Sequence, residues 1–181
     1  MDPRSIAFAH VRRGGPYYRV AKPSRKDPTD TSFSKTFGGR WNEPDRPGRP
    51  GFGALYLNAT IAVARHNANL QVRRELGPTL SIDDLAPEAQ PDLQHFEIEE
   101  AEFVDAVTPV GITLLGLSKS YPKDVPHPPC QGLAAAAYAD GENGIVPLSA
   151  LSPTSEELVI FDFAVPRLAT PTKRETFASW Y

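Results

Sequence analysis

Gly38-Gly39-Arg40-Trp41-Asn42, followed by Leu55-Tyr56-Leu57, gathers in one short stretch the groups that hold a nucleotide-sized anion. Two glycines let the backbone bend closely around a ligand. The forked Arg40 guanidinium matches a pyrophosphate, Trp41 offers an aromatic plane and Tyr56 a hydroxyl. The helix expected just downstream carries an anomaly. At roughly 100° per residue Arg65 falls about 40° from Ile61, close to Val72 on the wheel, so it points with the apolar face. Either its stem packs while the guanidinium reaches the surface or a carboxylate, or this face borders a ligand pocket. His66, one residue further round, reads as a packed or solvated histidine rather than a base.

The elements that must position these residues are short. The chain has nineteen prolines, concentrated at Pro44 to Pro50, Pro87 to Pro91, Pro122 to Pro129 and Pro147 to Pro153. Each removes a backbone donor and fixes φ, so the clusters divide the chain into many small elements joined by long loops, as in an α+β domain. Tyr17-Tyr18-Arg19-Val20 and Ala54 to Asn58 read as short strands. Phe96 to Val104 alternates apolar and acidic residues like a half-exposed strand, and Leu158 to Phe163 reads as a buried one. From Thr60, a plausible N-cap, Ile61, Ala64, Ala68, Val72 and Leu76 recur at helical spacing until Gly77-Pro78. A second helix spans about Gln131 to Ala139, after Pro128-Pro129 and before Gly141.

Composition excludes several classes. A chain of 181 residues fits one domain with its own core, and a net charge of -3 argues against a direct nucleic-acid surface. No run approaches the roughly 18 apolar residues of a membrane span, so a cytoplasmic location is expected. Cys130 is the only cysteine and the four histidines have no ligand spacing, which excludes an internal disulfide and leaves no expected metal. Neither Gly-x-Gly-x-x-Gly, Gly-x-x-x-x-Gly-Lys nor Gly-x-Ser-x-Gly occurs, which disfavours dehydrogenase, P-loop and α/β-hydrolase chemistry. The acidic run Glu97 to Glu102 reads as a solvated strand face. Residues 1–14 and 167–181 are the expected loose ends, leaving a domain over 15–166.

In order, Tyr18-Arg19, Gly39-Arg40-Trp41-Asn42, Leu55-Tyr56-Leu57, Ala62-Val63-Ala64, Gln131-Gly132-Leu133-Ala134, Gly144-Ile145-Val146-Pro147-Leu148-Ser149 and Leu158-Val159-Ile160-Phe161 resemble the RES domain, a family named for an arginine, a glutamate and a serine. The resemblance spans about Gly15 to Phe163. It implies a single-domain, ADP-ribosyltransferase-like α+β fold and the toxin of a bacterial toxin–antitoxin module. Such toxins degrade NAD+ as a substrate by hydrolysis or phosphorolysis, with water or phosphate as acceptor, and are neutralised by an antitoxin; a homo-oligomer is a further possibility. Carried across, Arg19 and Arg40 match the family's cleft arginines, Tyr56 its tyrosine and Ser149 its serine. Arg40, Tyr56 and Ser149 are then the candidate catalytic residues. Tyr18, Arg19, Gly39, Trp41, Asn42 and Arg65 are the candidate NAD+-binding ones. Each has a plainer alternative: Arg40 a surface stack on Trp41, Arg19 an edge charge, Tyr56 a core tyrosine, Ser149 a turn residue.

One departure stands out. Where the family has an Ala-x-Ala-Glu pattern, this chain has Ala62-Val63-Ala64-Arg65. Spacing alone selects Asn67, which is not an acid, and Glu75 lies nearly three turns beyond Arg65. Reversing a charge about 5 Å from a developing ribosyl cation costs roughly 2 to 7 kcal/mol. Three readings therefore stand: an NAD+-consuming enzyme, a non-catalytic relative that binds NAD+ or a partner, and an ADP-ribosyltransferase.

Overall fold

Proline and glycine punctuate the chain, and the segments between them form one sheet wrapped by helices. The computed structural model describes residues 7–123, 125–150 and 154–181. The strands are β1 (His10–Ala21), β2 (Ala54–Asn58), β3 (Asp92–Ala106), β4 (Gly144–Pro147), β5 (Glu157–Phe161) and β6 (Ala169–Glu175). The helices are α1 (Ser32–Phe37), α2 (Ile61–Glu75), α3 (Pro109–Leu114), α4 (His127–Ala139), α5 (Val165–Leu168) and α6 (Phe177–Trp180).

The sheet order is β1-β2-β5-β4-β3-β6, with β1 also pairing with β3. These pairings close β1, β2, β5, β4 and β3 into a circuit, with β6 added outside it. β1 and β3 run antiparallel from His10↔Val104 to Ala21↔Asp92, with a bulge between Arg13 and Gly15, where Gly15 adopts φ 85°. β4 lies parallel to β3 and antiparallel to β5, and β5 lies antiparallel to β2.

Burial follows the residue pattern. Leu158, Val159, Ile160 and Phe161 are all 0% exposed, as expected of a central strand covered on both faces. Leu158 and Ile160 pack with Tyr17, Leu55 and Phe103 on one face. Val159 and Phe161 pack on the other with Trp41, Ile145 and the small residues Cys130, Ala134 and Ala137 of α4. In β3, Phe96, Ile98 and Phe103 are buried while Glu97, Glu99, Glu100 and Glu102 are exposed, the solvated acidic face that alternation predicts.

Thr60 caps α2 by accepting a hydrogen bond from the Val63 N–H at 3.2 Å. α4 begins four residues before the expected Gln131, because Pro128 and Pro129 fall in its first turn, where proline is tolerated. Of the two expected loose ends, residues 1–6 lie outside the described residues, and much of the rest is held in the sheet. Residues 10–14 open β1, and 169–175 form β6, paired with β3 from Leu93↔Glu175 to Ile98↔Ala169. β6 was hidden because it is an edge strand with most side chains exposed and Pro171 inside it. Trp180 of α6 is buried, its indole N–H donating to the Pro91 carbonyl at 3.1 Å. Among the described residues no helix is long and apolar enough to cross a membrane.

Candidate active site

A cleft of about 680 Å³ opens between the β1–α1 loop, the end of β2 and α2. Its size is that of a small-molecule site, roughly 300 to 1,000 Å³. Arg19 comes from the end of β1, Tyr56 and Asn58 from β2, Asn67 from α2 and Glu157 from β5.

Arg19 Nη1 donates to the Pro28 carbonyl at 3.0 Å. Among the described residues it forms no ion pair with a carboxylate. Burial and the like charge of Arg25 lower its pKa to about 10, so it is charged at neutral pH but poorly solvated. Lys22, Arg25 and Lys26 line the same end, and the Arg25 guanidinium lies 5.7 Å from the ring centre of Phe33. Asp27 and Asp30 are nearby, but their carboxylates are occupied locally. Asp27 accepts from the Thr29 N–H and hydroxyl at 2.8 and 2.7 Å, and Asp30 from those of Ser32 at 2.8 and 2.9 Å. With Arg19, Lys22, Arg25 and Lys26 against Asp27 and Asp30, this end of the cleft is net positive.

Gly39-Arg40-Trp41-Asn42 forms a tight turn in which the Gly39 N–H donates to the Asn42 carbonyl at 3.1 Å. The corner sends its two side chains apart. Arg40 remains part-exposed and donates to the Pro122 carbonyl at 3.1 Å, with no ion pair among the described residues; its charge acts on both Tyr56 and Glu157. Trp41, expected to present a ring face, is 1% exposed and packs edge-on against Tyr121 in the core. Asn42 is 0% exposed, with its amide donating to the Ser34 and Phe52 carbonyls at 2.8 and 2.9 Å. These two residues build the turn and do not face the cleft.

The Tyr56 ring lines the cleft, while its hydroxyl belongs to the turn. It donates to Asn42 Oδ1 at 2.8 Å and accepts from the Trp41 N–H at 2.9 Å. Burial pushes this hydroxyl well above its usual pKa. A Cβ on Gly39 would collide with the same hydroxyl, which explains that glycine better than ligand approach does. The Gly39 carbonyl accepts from Gln131 Nε2 at 2.8 Å, tying the turn to α4.

The floor of the cleft is polar. Asn58 and Glu157 stand directly opposite in the β2–β5 ladder, so their side chains share a face. Asn67 Nδ2 reaches both, at 2.7 Å from Asn58 Oδ1 and 3.1 Å from Glu157 Oε1. The buried Ser149 side chain also hydrogen-bonds Glu157. Burial raises the Glu157 carboxyl above the ordinary value, against the opposing pull of Asn67, Ser149 and Arg40. The preceding Glu156 faces elsewhere, held by Arg13 Nε and Nη2 at 2.6 and 2.7 Å.

Arg19, Tyr56 and Glu157 therefore line one cleft, the buried Ser149 is tied to it through Glu157, and Arg40 acts on Tyr56 and Glu157 by its charge without lining it. Tyr18 is not among these residues: its ring packs against His95, 5.2 Å between centroids. Arg65 is not either. Its Nη2 donates to the Trp180 carbonyl at 3.2 Å, and its guanidinium lies 5.7 and 4.9 Å from the Trp180 and Tyr181 ring centres. Its inward direction serves the C-terminal helix, and the cleft face of α2 carries Ala64, Asn67, Ala68 and Gln71 instead. Sequence reasoning missed Glu157 and the Lys22 to Lys26 cluster, while spacing had pointed to Asn67 without giving it a role. The cluster was visible as a charge run next to a strand, whereas Glu157 carried no local signal.

The model of the RES domain family matches residues 16–179. No curated protein matches the chain. Among solved structures, the fold is similar to a chain in the crystal structure of the M. tuberculosis MbcT-MbcA toxin-antitoxin complex. That match has a TM-score of 0.76 and 19% identity, and covers 94% of this chain and 89% of the other.

Proposed function

This chain belongs to the RES domain family, and from that premise we propose that it is an NAD+-degrading enzyme and the toxin of a bacterial toxin–antitoxin pair. The observation that carries the reading is a pair of guanidiniums, Arg19 and Arg40, each held by a main-chain carbonyl and neither ion-paired with a carboxylate among the described residues: Arg19 lines the cleft, and the charge of Arg40, from outside that lining, acts on Tyr56 and Glu157, which do line it. A diphosphate supplies the missing negative charge and matches the fork geometry of arginine. Lys22, Arg25 and Lys26 extend that positive end. Phe33 and the Tyr56 ring offer faces for the planar groups at the two ends of a dinucleotide.

In the proposed reaction the C1′–N1 bond between ribose and nicotinamide breaks, and its electron pair goes to the pyridinium nitrogen. Neutral nicotinamide leaves a ribosyl cation. Water adds to C1′ and releases a proton, giving ADP-ribose, or phosphate adds and gives the 1-phosphate. Ser149, tied to the floor of the cleft, orients the ribose or the acceptor. The non-catalytic reading drew its motive from a base replacing an acid at Arg65, and that side chain lies against Trp180 and Tyr181. An antitoxin is the proposed protein partner and the cytoplasm the proposed site of action.

The test is nicotinamide release from NAD+ by the purified chain, with and without phosphate, beside Arg19→Ala and Arg40→Ala. Release that both substitutions reduce is the expected result. No release from the parent chain under either condition overturns the enzyme reading, and label from NAD+ appearing on protein redirects it to ADP-ribosyl transfer.

A further inference from the structure

We propose that Glu157 is the catalytic carboxylate of this cleft, stabilising the positive charge that develops on the ribose; the inference rests on the NAD+ reading above. Three observations carry it. Glu157 reaches the cleft from β5, a central strand paired with β2 along its whole length, with its backbone fixed opposite Asn58. Its side chain is aimed by neutral groups, Asn67 Nδ2 at 3.1 Å and the Ser149 side chain. Among the described residues no lysine or arginine forms an ion pair with it, so its negative charge is not already spent on a partner. Arg40, Tyr56 and Tyr121 are the charged and titratable groups whose fields couple to it.

The other acids of the cleft differ in position. Asp27 and Asp30 cap turns in the β1–α1 loop, and Glu75 is exposed at the end of α2, accepting from Gln71 at 2.8 Å. Among the described residues only Glu157 stands at the floor, hydrogen-bonded to Ser149. When the C1′–N1 bond lengthens and its electrons move to nicotinamide, the cation left on the ribose gains an opposing charge in a partly dehydrated site. Glu157 forms no bond in this step. It holds its charge, and the acceptor is water or phosphate.

The inference also explains how a chain with Asn67 on its helix keeps an acid in the cleft. Asn67 and Glu157 are direct hydrogen-bond partners, so a carboxylate on either side chain reaches the same region.

The test compares nicotinamide release and NAD+ affinity for the parent, Glu157→Gln and the exchange variant Asn67→Glu with Glu157→Asn, each with its thermal unfolding measured. For a unit charge about 5 Å from the reacting carbon, Glu157→Gln should lower kcat by roughly 4- to 270-fold. NAD+ affinity should stay within about twofold of the parent, since the lost interaction belongs to the transition state. The exchange variant should exceed Glu157→Gln in kcat. An active parent with Glu157→Gln at parental kcat overturns the assignment while leaving the NAD+ reading standing, as does an exchange variant no faster than Glu157→Gln. A parent that releases no nicotinamide overturns the NAD+ reading and takes this inference with it.

Discussion

Replacing Tyr56 by phenylalanine removes one oxygen from the centre of the Gly39–Asn42 turn and leaves the ring in place. That oxygen serves two buried groups, donating to Asn42 Oδ1 at 2.8 Å and accepting from the Trp41 N–H at 2.9 Å. Asn42 keeps the bonds of its amide nitrogen to Ser34 and Phe52, so the turn loses its cross-brace but not its anchor. An unsatisfied buried donor or acceptor costs about 1–3 kcal/mol. Two of them, near a cleft from which water can partly compensate, should cost about 2–4 kcal/mol. For a chain of this size that is a fall of roughly 4–16 °C in Tm. Urea unfolding should show a lower midpoint at unchanged m-value. Because Arg40 sits at the corner of the same turn, kcat/KM for NAD+ should fall with stability. A stability change below about 0.5 kcal/mol refutes the reasoning, since it would mean that the hydroxyl does not hold the turn. Loss of activity at parental stability refutes it differently, by placing the hydroxyl on the substrate.

Two further expectations concern charge. Arg65→Glu should produce no gain in nicotinamide release and should weaken the seating of α6, because it removes the stacking on Trp180 and Tyr181 and the bond to the Trp180 carbonyl. A lower Tm with faster amide exchange around 177–181 checks this, and increased release would return Arg65 to the cleft. Glu157→Gln should stabilise the unliganded fold at neutral pH. The folded state raises this carboxyl pKa, so it binds the proton more tightly than the unfolded chain, and stability falls as pH rises from the ordinary carboxylate value through the raised one. The gain from Glu157→Gln should therefore be present at neutral pH and vanish below about pH 4. Parallel Tm-against-pH curves for the two proteins would contradict the burial argument.

The parts of the fold that were legible in sequence are those whose signal is local. Thr60 with its helical spacing, the all-apolar Leu158 to Phe161 run and the alternation of β3 each reflect a pattern that one element imposes on itself. What depended on partners was hidden. Whether Trp41 or Arg40 is the buried one is decided by which side of a turn meets α4 and the Pro122 loop, and neither residue type announces that. β6 lacks an apolar face because it needs only one neighbour. Glu157 sits in Ser155-Glu156-Glu157, which reads as solvated loop; its place at the floor follows from pairing with a strand about a hundred residues earlier. The same distance hid the use of Arg65, whose partners lie at the far end of the chain.

The adjacent acids Glu156 and Glu157 show what strand register decides here. The first is gripped by Arg13 through two short contacts and also accepts from the Tyr17 hydroxyl at 3.2 Å, while the second faces the cleft. A slip of one residue in β5 would exchange them across the sheet. The Arg13 clamp therefore works as an alignment key: by claiming one glutamate for β1, it reinforces the register in which the other of two chemically identical neighbours faces the cleft.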